Sequence, residues 1–211
     1  QILFGDLHAH TTLSFDAFIG SLPMMHGEGS RPLADACDFA RFCSALDFWS
    51  INDHAEASTP RRWSETVESI QQCNAVGGNG QNPDTVAFLG WEWTQVGATP
   101  ETHYGHKNVI FRDIETKNVP SRPIHSGGIA NTALRGLPLR NGPLLFALDP
   151  NQRMLDFNLY LHELRQSEEC EKGKNVWDLP NNCRESAETP SELFSKLDEW
   201  GFESMVIPHG T

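Results

Sequence analysis

A chain of 211 residues is long enough to bury a sizeable core in one large domain, and two small domains are the poorer fit. No apolar run is long enough to span a bilayer. A formal net charge of -12 excludes broad binding to nucleic-acid backbones, which needs Lys and Arg to neutralise phosphates; a small anion held by bound cations stays within reach.

The first element is the apolar run Ile2-Leu3-Phe4, suited to a buried strand, followed by Gly5-Asp6-Leu7-His8-Ala9-His10. Alternate strand residues share a face, so His8 and His10 project together with Asp6 beside them. Two imidazoles with carboxylates near are what a divalent transition metal takes. A lone His-x-His is more often a turn residue and a satisfied core residue. The sequence departs from that reading because similar strand ends recur, each carrying another ligand type.

Phe18 to Ser30 reads as a long loop containing His26, which is expected to face solvent. From Pro32, the positions Leu33, Ala36, Cys37, Ala40, Cys43 and Leu46 recur at helical spacing. The strand Phe48-Trp49-Ser50-Ile51 then closes on Asn52-Asp53-His54. Thr59-Pro60 has the form of an N-cap with Pro at the first helical position, and Trp63, Val67 and Ile70 mark the buried face of that helix, which Gly77-Gly78-Asn79-Gly80 ends. A third apolar run, Val86 to Trp91, closes on Glu92. A carboxylate among Phe88, Trp91 and Trp93 either is paired or metal-bound, or reaches solvent past the tryptophans, because burying its charge alone costs several kcal/mol.

His103-Tyr104-Gly105-His106 leads into a fourth strand, Lys107 to Phe111, with His106 adjacent to it. From Arg112 to Pro143, Gly, Pro, Asn and Arg dominate and the segment reads as irregular, with His125 as a loop residue able to reach substrate. Asp149-Pro150-Asn151-Gln152 starts a helix whose stripe is either Leu155, Leu159 and His162 or Leu155, Tyr160 and Leu164. Thr189-Pro190-Ser191-Glu192 starts another, with Leu193, Leu197 and Trp200 on one face and Gly201 as its stop. The last strand, Ser204 to Ile207, ends on Pro208-His209.

There are five cysteines and no C-x-x-C pair, so a thiolate zinc site is not indicated. Cys170 and Cys183 flank a polar stretch that a disulfide could close, and Cys73 has Cys37 and Cys43 as alternative partners; the other reading is five reduced thiols. Disulfides would favour a periplasmic or secreted protein over a cytoplasmic one. A chain that begins in a strand at Gln1 is read as a processed or trimmed start.

The order His8-x-His10, Asp16, Asp53-His54 after a strand, Gly90-Trp91-Glu92 after the next, His106 before a further one and Pro208-His209 at a late strand end resembles the PHP (polymerase and histidinol phosphatase) superfamily of metal-dependent phosphoesterases. The stretches Leu3 to His8, Asp47 to His54, Gly90 to Thr94 and Val206 to Thr211 look more closely like a large bacterial PHP-related family of unknown function, often exported. The resemblance implies an α/β fold: a distorted seven-stranded (β/α) TIM-like barrel over residues 1–211, one domain, interrupted by an irregular and helical insertion at about 112–190. It implies two or three zinc, manganese or iron ions on His8, His10, Asp16, His54, Glu92, His106 and His209, with Glu92 as bridging carboxylate. The family's final Asp-x-His pair has no counterpart here, so it and the closing strand are expected either from the same polypeptide beyond residue 211 or from another fragment.

On this basis the expected activity is hydrolysis of a small phosphomonoester or phosphodiester, with Glu92, His106 and His209 closest to the chemistry. Asp6 and Asp53 are expected to orient ligand rings. Arg61, Arg62 and Lys107 are candidates for the substrate anion, and His103 or His125 for the proton donor. Two alternatives stand beside it. One is an amidohydrolase, whose barrel also opens with His-x-His but usually places a bridging Lys where this chain has Glu92. The other is a secreted metal-binding or recognition domain with a degenerate site.

Overall fold

The structure is a computed structural model that describes residues 2–21, 31–79, 81–136, 147 and 153–210. His26 and the helix start at Asp149–Gln152 lie outside the described residues.

Five strands form the main sheet, in the order β1 (Gly5–Ala9), β2 (Phe48–Ile51), β5 (Val86–Gln95), β6 (Gly105–Phe111) and β10 (Ser204–His209). The pairs β1–β2 and β2–β5 are parallel, while β6 runs antiparallel to both β5 and β10. A small hairpin, β3 (Gly78–Asn79) and β4 (Asn82–Pro83), precedes β5 in the chain. This corrects the expected seven-stranded (β/α) barrel. Among the described residues the main sheet is a mixed, curled half-barrel, and the reason is visible in the connection from β5 to β6. Parallel neighbours need a long crossover, usually helical, whereas residues 96–104 carry no helix and can only turn the chain back. Helices do separate the parallel pairs. α1 (Phe15–Ser21) and α2 (Leu33–Asp38), the latter continued by a π turn at Phe39–Cys43, precede β2, and α3 (Pro60–Val76) precedes β5.

The described residues of the segment at 112–190 are also more ordered than expected. It contains α4 (Ile129–Gly136), α5 (Arg153–Gln166) and a second, parallel sheet in the order β7 (Ile124–His125), β9 (Cys183–Ser186), β8 (Glu168–Glu169). These strands are two to four residues long and polar, so no apolar alternation announces them. Buried salt bridges hold them instead, such as Arg122 Nε to Glu185 Oε2 at 2.9 Å.

α3 and α6 (Pro190–Trp200) start as their sequences dictate. Thr59 Oγ1 accepts from Arg62 N and Thr189 Oγ1 from Glu192 N, each at 3.2 Å, with Pro following the cap. Gly201 stops α6 at φ 70°, a left-handed value that glycine adopts without strain. Trp63, Val67 and Ile70 of α3 pack on the outer face of β5, where Trp91 and Trp93 are buried and the Trp63 and Trp91 rings meet edge to face at 5.5 Å. α5 uses Tyr160 and Leu164, with Leu161 between, and leaves Leu159 exposed. Two further expectations are corrected. The first strand begins at Gly5, with Ile2, Leu3 and Phe4 exposed before it, and residues 18–21, expected as the start of a loop, belong to a helix. No described helix is long and apolar enough to cross a membrane.

Disulfides join Cys37 to Cys73, linking α2 to α3, and Cys170 to Cys183, closing the polar loop before β9; Cys43 is free and exposed.

Candidate metal centre

The site forms at one rim of the half-barrel, and the mixed sheet explains how. β1, β2 and β5 deliver His8, His10, His54 and Glu92 at or near their C-terminal ends. Because β6 is antiparallel, its N-terminal end lies at that same rim. His106 therefore stands opposite Thr94 on one side and His209 on the other.

A register irregularity aims the first two histidines. Asp6 lies opposite Trp49 but Ala9 opposite Ile51, so β1 takes three residues where β2 takes two. A bulge of this kind re-aims side chains at a sheet edge. His8 Nε2 and His10 Nε2 lie 2.8 Å apart, and both approach Glu92 Oε2, at 3.2 and 3.0 Å.

Glu92 is 1% exposed and sits at the centre. β5 continues to Gln95, so Glu92 lies within the strand and faces inward between two tryptophans that face outward. Its Oε1 meets His106 Nδ1, lies 3.5 Å from His54 Nδ1 and 3.9 Å from His209 Nε2, and accepts from Thr94 Oγ1 at 2.9 Å. Burial opposes its charge, but the His10 hydrogen bond and the surrounding imidazoles outweigh burial and hold the carboxyl far below the usual carboxylate range.

Two groups have the spacing of a metal site, His8 with Glu92 and His209, and His10 with His54 and Glu92; within each, the donor atoms lie within 4.8 Å of one another. Glu92 belongs to both, as a bridging carboxylate must. The donor set is nitrogen and carboxylate oxygen without thiolate, which suits zinc, manganese or iron. Ring nitrogens of His8 and His10 and a Glu92 oxygen converge on one point, so the residues fit such ions.

Asp16 joins from the start of α1, its Oδ2 3.3 Å from His54 Nε2. Partial burial raises the Asp16 pKa, yet the hydrogen bond and charge of His54 prevail and bring it down to about 2. The His54 pKa moves the other way: burial disfavours its cation, but Asp16, Glu92 and Glu56 together raise it. For His209, burial pushes the pKa down against the pull of Glu92.

The remaining candidates lie elsewhere. Asp6 accepts from His8 N at 2.9 Å, a backbone contact rather than a ring contact. Asp53 binds Thr11 N and Oγ1, at 2.6 and 2.7 Å, and so anchors the turn after β1; burial pushes its carboxyl up despite those bonds. Arg61 is exposed and paired with Glu65 and Glu163. Arg62 is buried, donating to Ala57 O and Tyr160 O. Lys107, on the opposite face of β6 from His106, donates to Tyr104 O, and its Nζ lies 5.0 Å from the Trp93 ring centroid. His103 Nδ1 accepts from Gly97 N at 3.3 Å, and His125 is buried against Glu169.

Sequence reasoning missed three residues that hold the candidate ligands. Ser14 Oγ contacts His10 Nδ1 at 2.7 Å and accepts from His54 N at 2.9 Å. Thr94 Oγ1 lies 2.5 Å from His54 Nδ1, and Asn108 Oδ1 accepts from His209 Nε2 at 3.0 Å. Strand period would have found two of them, since Thr94 is two residues from Glu92 and Asn108 two from His106. No family model matches this chain, and neither a curated protein nor a solved structure matches it.

Proposed function

We propose that the chain carries the centre of a metal-dependent hydrolase acting on a small phosphoester, of the kind its PHP-like order of ligands suggests. The observation that carries the reading is Glu92: a buried carboxylate shared by two imidazole-containing groups of metal-site spacing. Divalent zinc, manganese or iron bound there would act as Lewis acids on phosphoryl oxygen and water. His8, His10, Asp16, His54, Glu92, His106 and His209 would hold them.

The chain's own residues supply the rest. Glu92 keeps its charge because imidazoles surround it, and so it remains an acceptor at neutral pH. His8, His106 and His209 are partly exposed, so these ligands would stand nearest to a bound substrate. Ser14, Thr94 and Asn108 fix ring orientations so that little reorganisation is left to the reaction. The amidohydrolase alternative wants a bridging Lys. Lys107, in the strand next to Glu92, points to the other face, which favours the phosphoesterase reading. Two disulfides support an oxidising location, periplasmic or extracellular.

The test is elemental analysis of the purified protein, with turnover assays on p-nitrophenyl phosphate and bis-p-nitrophenyl phosphate beside amides and lactones. Stoichiometric transition metal, chelator-sensitive phosphoester hydrolysis and its loss in Glu92→Gln are expected. Absence of bound metal after incubation with zinc or manganese salts, or turnover that Glu92→Gln leaves intact, overturns the reading.

A further inference from the structure

The turn that follows His54 has three successive carbonyls met by arginine side chains. The chain leaves His54 through a 3-10 turn, Ala55–Ala57, whose residues are all buried. His54 O accepts from Ala57 N and Ala55 O from Ser58 N, each at 3.1 Å, so the turn closes two of its own carbonyls. The next three take donors from other elements: Arg184 Nη2 to Glu56 O at 2.6 Å, Arg62 Nη1 to Ala57 O at 2.6 Å, and Arg184 Nε to Ser58 O at 2.9 Å. A buried carbonyl needs such a partner. Arg184 supplies two of them through one planar fork, whose fixed geometry sets the spacing of the Glu56 and Ser58 carbonyls as a flexible ammonium could not.

The same turn reaches back to the site with a side chain. Glu56 is fully buried, and its Oε1 accepts from Thr94 N at 3.1 Å and from Ser126 N at 2.8 Å. Thr94 in turn donates through Oγ1 to Glu92 Oε1 at 2.9 Å. The place of the turn is therefore passed to the shared carboxylate along two routes, through His54 after β2 and through Thr94 in β5. Behind the turn, Arg184 Nη1 donates to Glu169 Oε1 at 2.8 Å, and these two residues stand opposite each other in the β8–β9 pair. The Cys170–Cys183 disulfide joins their immediate neighbours, and Cys170 N donates to Arg184 O at 2.8 Å.

We infer that Arg184 is a positioning residue of the metal centre: from β9 it fixes the turn that carries His54 and, through Glu56, the Thr94 backbone beside Glu92. The inference rests on the metal-centre reading proposed above. It gives the second sheet a role, since strands too short and polar to build a core instead carry one guanidinium to the back of the site, and the disulfide keeps that guanidinium beside Glu169. Arg122, buried just before β7, bonds Val176 O, Pro180 O and Glu185 instead of the turn.

The experiment compares variants of the full chain in two measurements: zinc affinity, by competition with a chromogenic chelator, and amide hydrogen exchange at Thr94 and Ser126, by NMR of the metal-free protein. Arg184→Lys is expected to weaken zinc binding by about tenfold and to speed exchange at both amides. Arg122→Lys, the same change in a guanidinium buried as deeply, is expected to leave zinc affinity at the parental value and both amides protected. Replacing Cys170 and Cys183 by alanine is expected to weaken zinc binding as well, whereas replacing Cys37 and Cys73, the bond that closes the longer loop and contributes more stability, is not. Lost stability alone would give the opposite order. Parental zinc affinity in Arg184→Lys, amides at Thr94 and Ser126 that exchange no faster, or zinc affinities that simply follow stability across the variants would each overturn the inference. If Arg184→Lys does not fold, the two disulfide variants decide by the same readouts. A parent that binds no zinc would instead sink the metal-centre reading, and amide exchange would still decide whether Arg184 fixes the turn.

Discussion

The side-chain amide of Asn108 donates to the carbonyl of Leu7 at 2.8 Å, although β1 and β6 have two whole strands between them in the sheet. Neighbouring strands lie nearly 5 Å apart, so in a flat sheet these two would be separated by roughly 14 Å. One hydrogen bond therefore records how far the sheet curls, and the curl is what lets His8 meet His106 and His209 around Glu92. The same amide fixes a ring. Because its nitrogen is spent on Leu7, its oxygen must face His209, and accepts from Nε2 at 3.0 Å.

Asn108→Ala is accordingly expected to do two things at once. Leaving the Leu7 carbonyl without this donor should cost about 1–3 kcal/mol in urea unfolding. Releasing His209 should weaken zinc or manganese binding by about 10–100-fold. Asn108→Asp separates the effects, since it retains an acceptor for His209 and loses the donor to Leu7. Wild-type metal affinity in Asn108→Ala would show that His209 needs no such anchor.

These relations explain why the residues that cluster around Glu92 were legible in the sequence and the architecture was not. Each of them except Asp16, which lies at the start of α1, sits at or near a strand end, and apolar runs such as Val86 to Trp91 or Phe48 to Ile51 declare themselves by composition. Strand direction carries no such mark. The lead from His106 into Val109-Ile110-Phe111 reads the same whichever way β6 runs, and only the helix-free connection after Gln95 argues for antiparallel pairing. The second sheet was invisible because Ile124-His125 and Glu168-Glu169 are too short to show a period. Arg62 misled for a different reason. Arginine beside a cap reads as surface charge, and nothing local reveals that α5 will cover it.

Arg61 and Arg62 are neighbours in the chain with opposite fates, and their substitutions should separate sharply. Arg62 is buried, bonds Ala57 O at 2.6 Å and Tyr160 O at 2.7 Å, and places its guanidinium carbon 3.8 Å from the Tyr160 ring centroid. Arg62→Met removes those donors and leaves two carbonyls unpaired, an expected loss of about 2–5 kcal/mol. Arg61, exposed and paired with Glu65 and Glu163, should change stability by less than about 1 kcal/mol on replacement by Ala. Thermal or urea unfolding decides it, and an Arg62→Met protein as stable as its parent would return Arg62 to the list of substrate contacts.

The disulfides should be unequal. Cross-linking residues 36 apart, as Cys37–Cys73 does, removes about 4 kcal/mol of unfolded-chain entropy, and 13 apart, as Cys170–Cys183 does, about 3 kcal/mol. Replacing each pair by alanine should lower stability in that order. Thiol titration of the denatured, unreduced protein should find one reactive sulfur, Cys43. Five would mean that neither bond forms and would remove the argument for an oxidising compartment.

His125 should make the protein acid-sensitive near neutrality. The ring is buried; Gly127 N donates to Nδ1 at 3.0 Å, so the hydrogen is on Nε2, which donates to Glu169 Oε2 at 2.8 Å. Burial, reinforced by the Arg184 charge and opposed by Glu169, pushes the His125 pKa below the ordinary imidazole value. In the unfolded chain the ring protonates near pH 6.5, so below that pH the unfolded state holds a proton that the folded state lacks. The stability is therefore present above about pH 6.5 and is lost as pH falls toward the depressed folded value. His54, whose pKa is raised, contributes with the opposite sign, and comparing parent with variant cancels it. Urea midpoints should fall more steeply below about pH 6.5 in the parent than in His125→Gln, with the two curves parallel above about pH 7.5. Parallel curves throughout would mean that the buried ring takes up its proton without unfolding, and that Glu169 compensates fully for the charge.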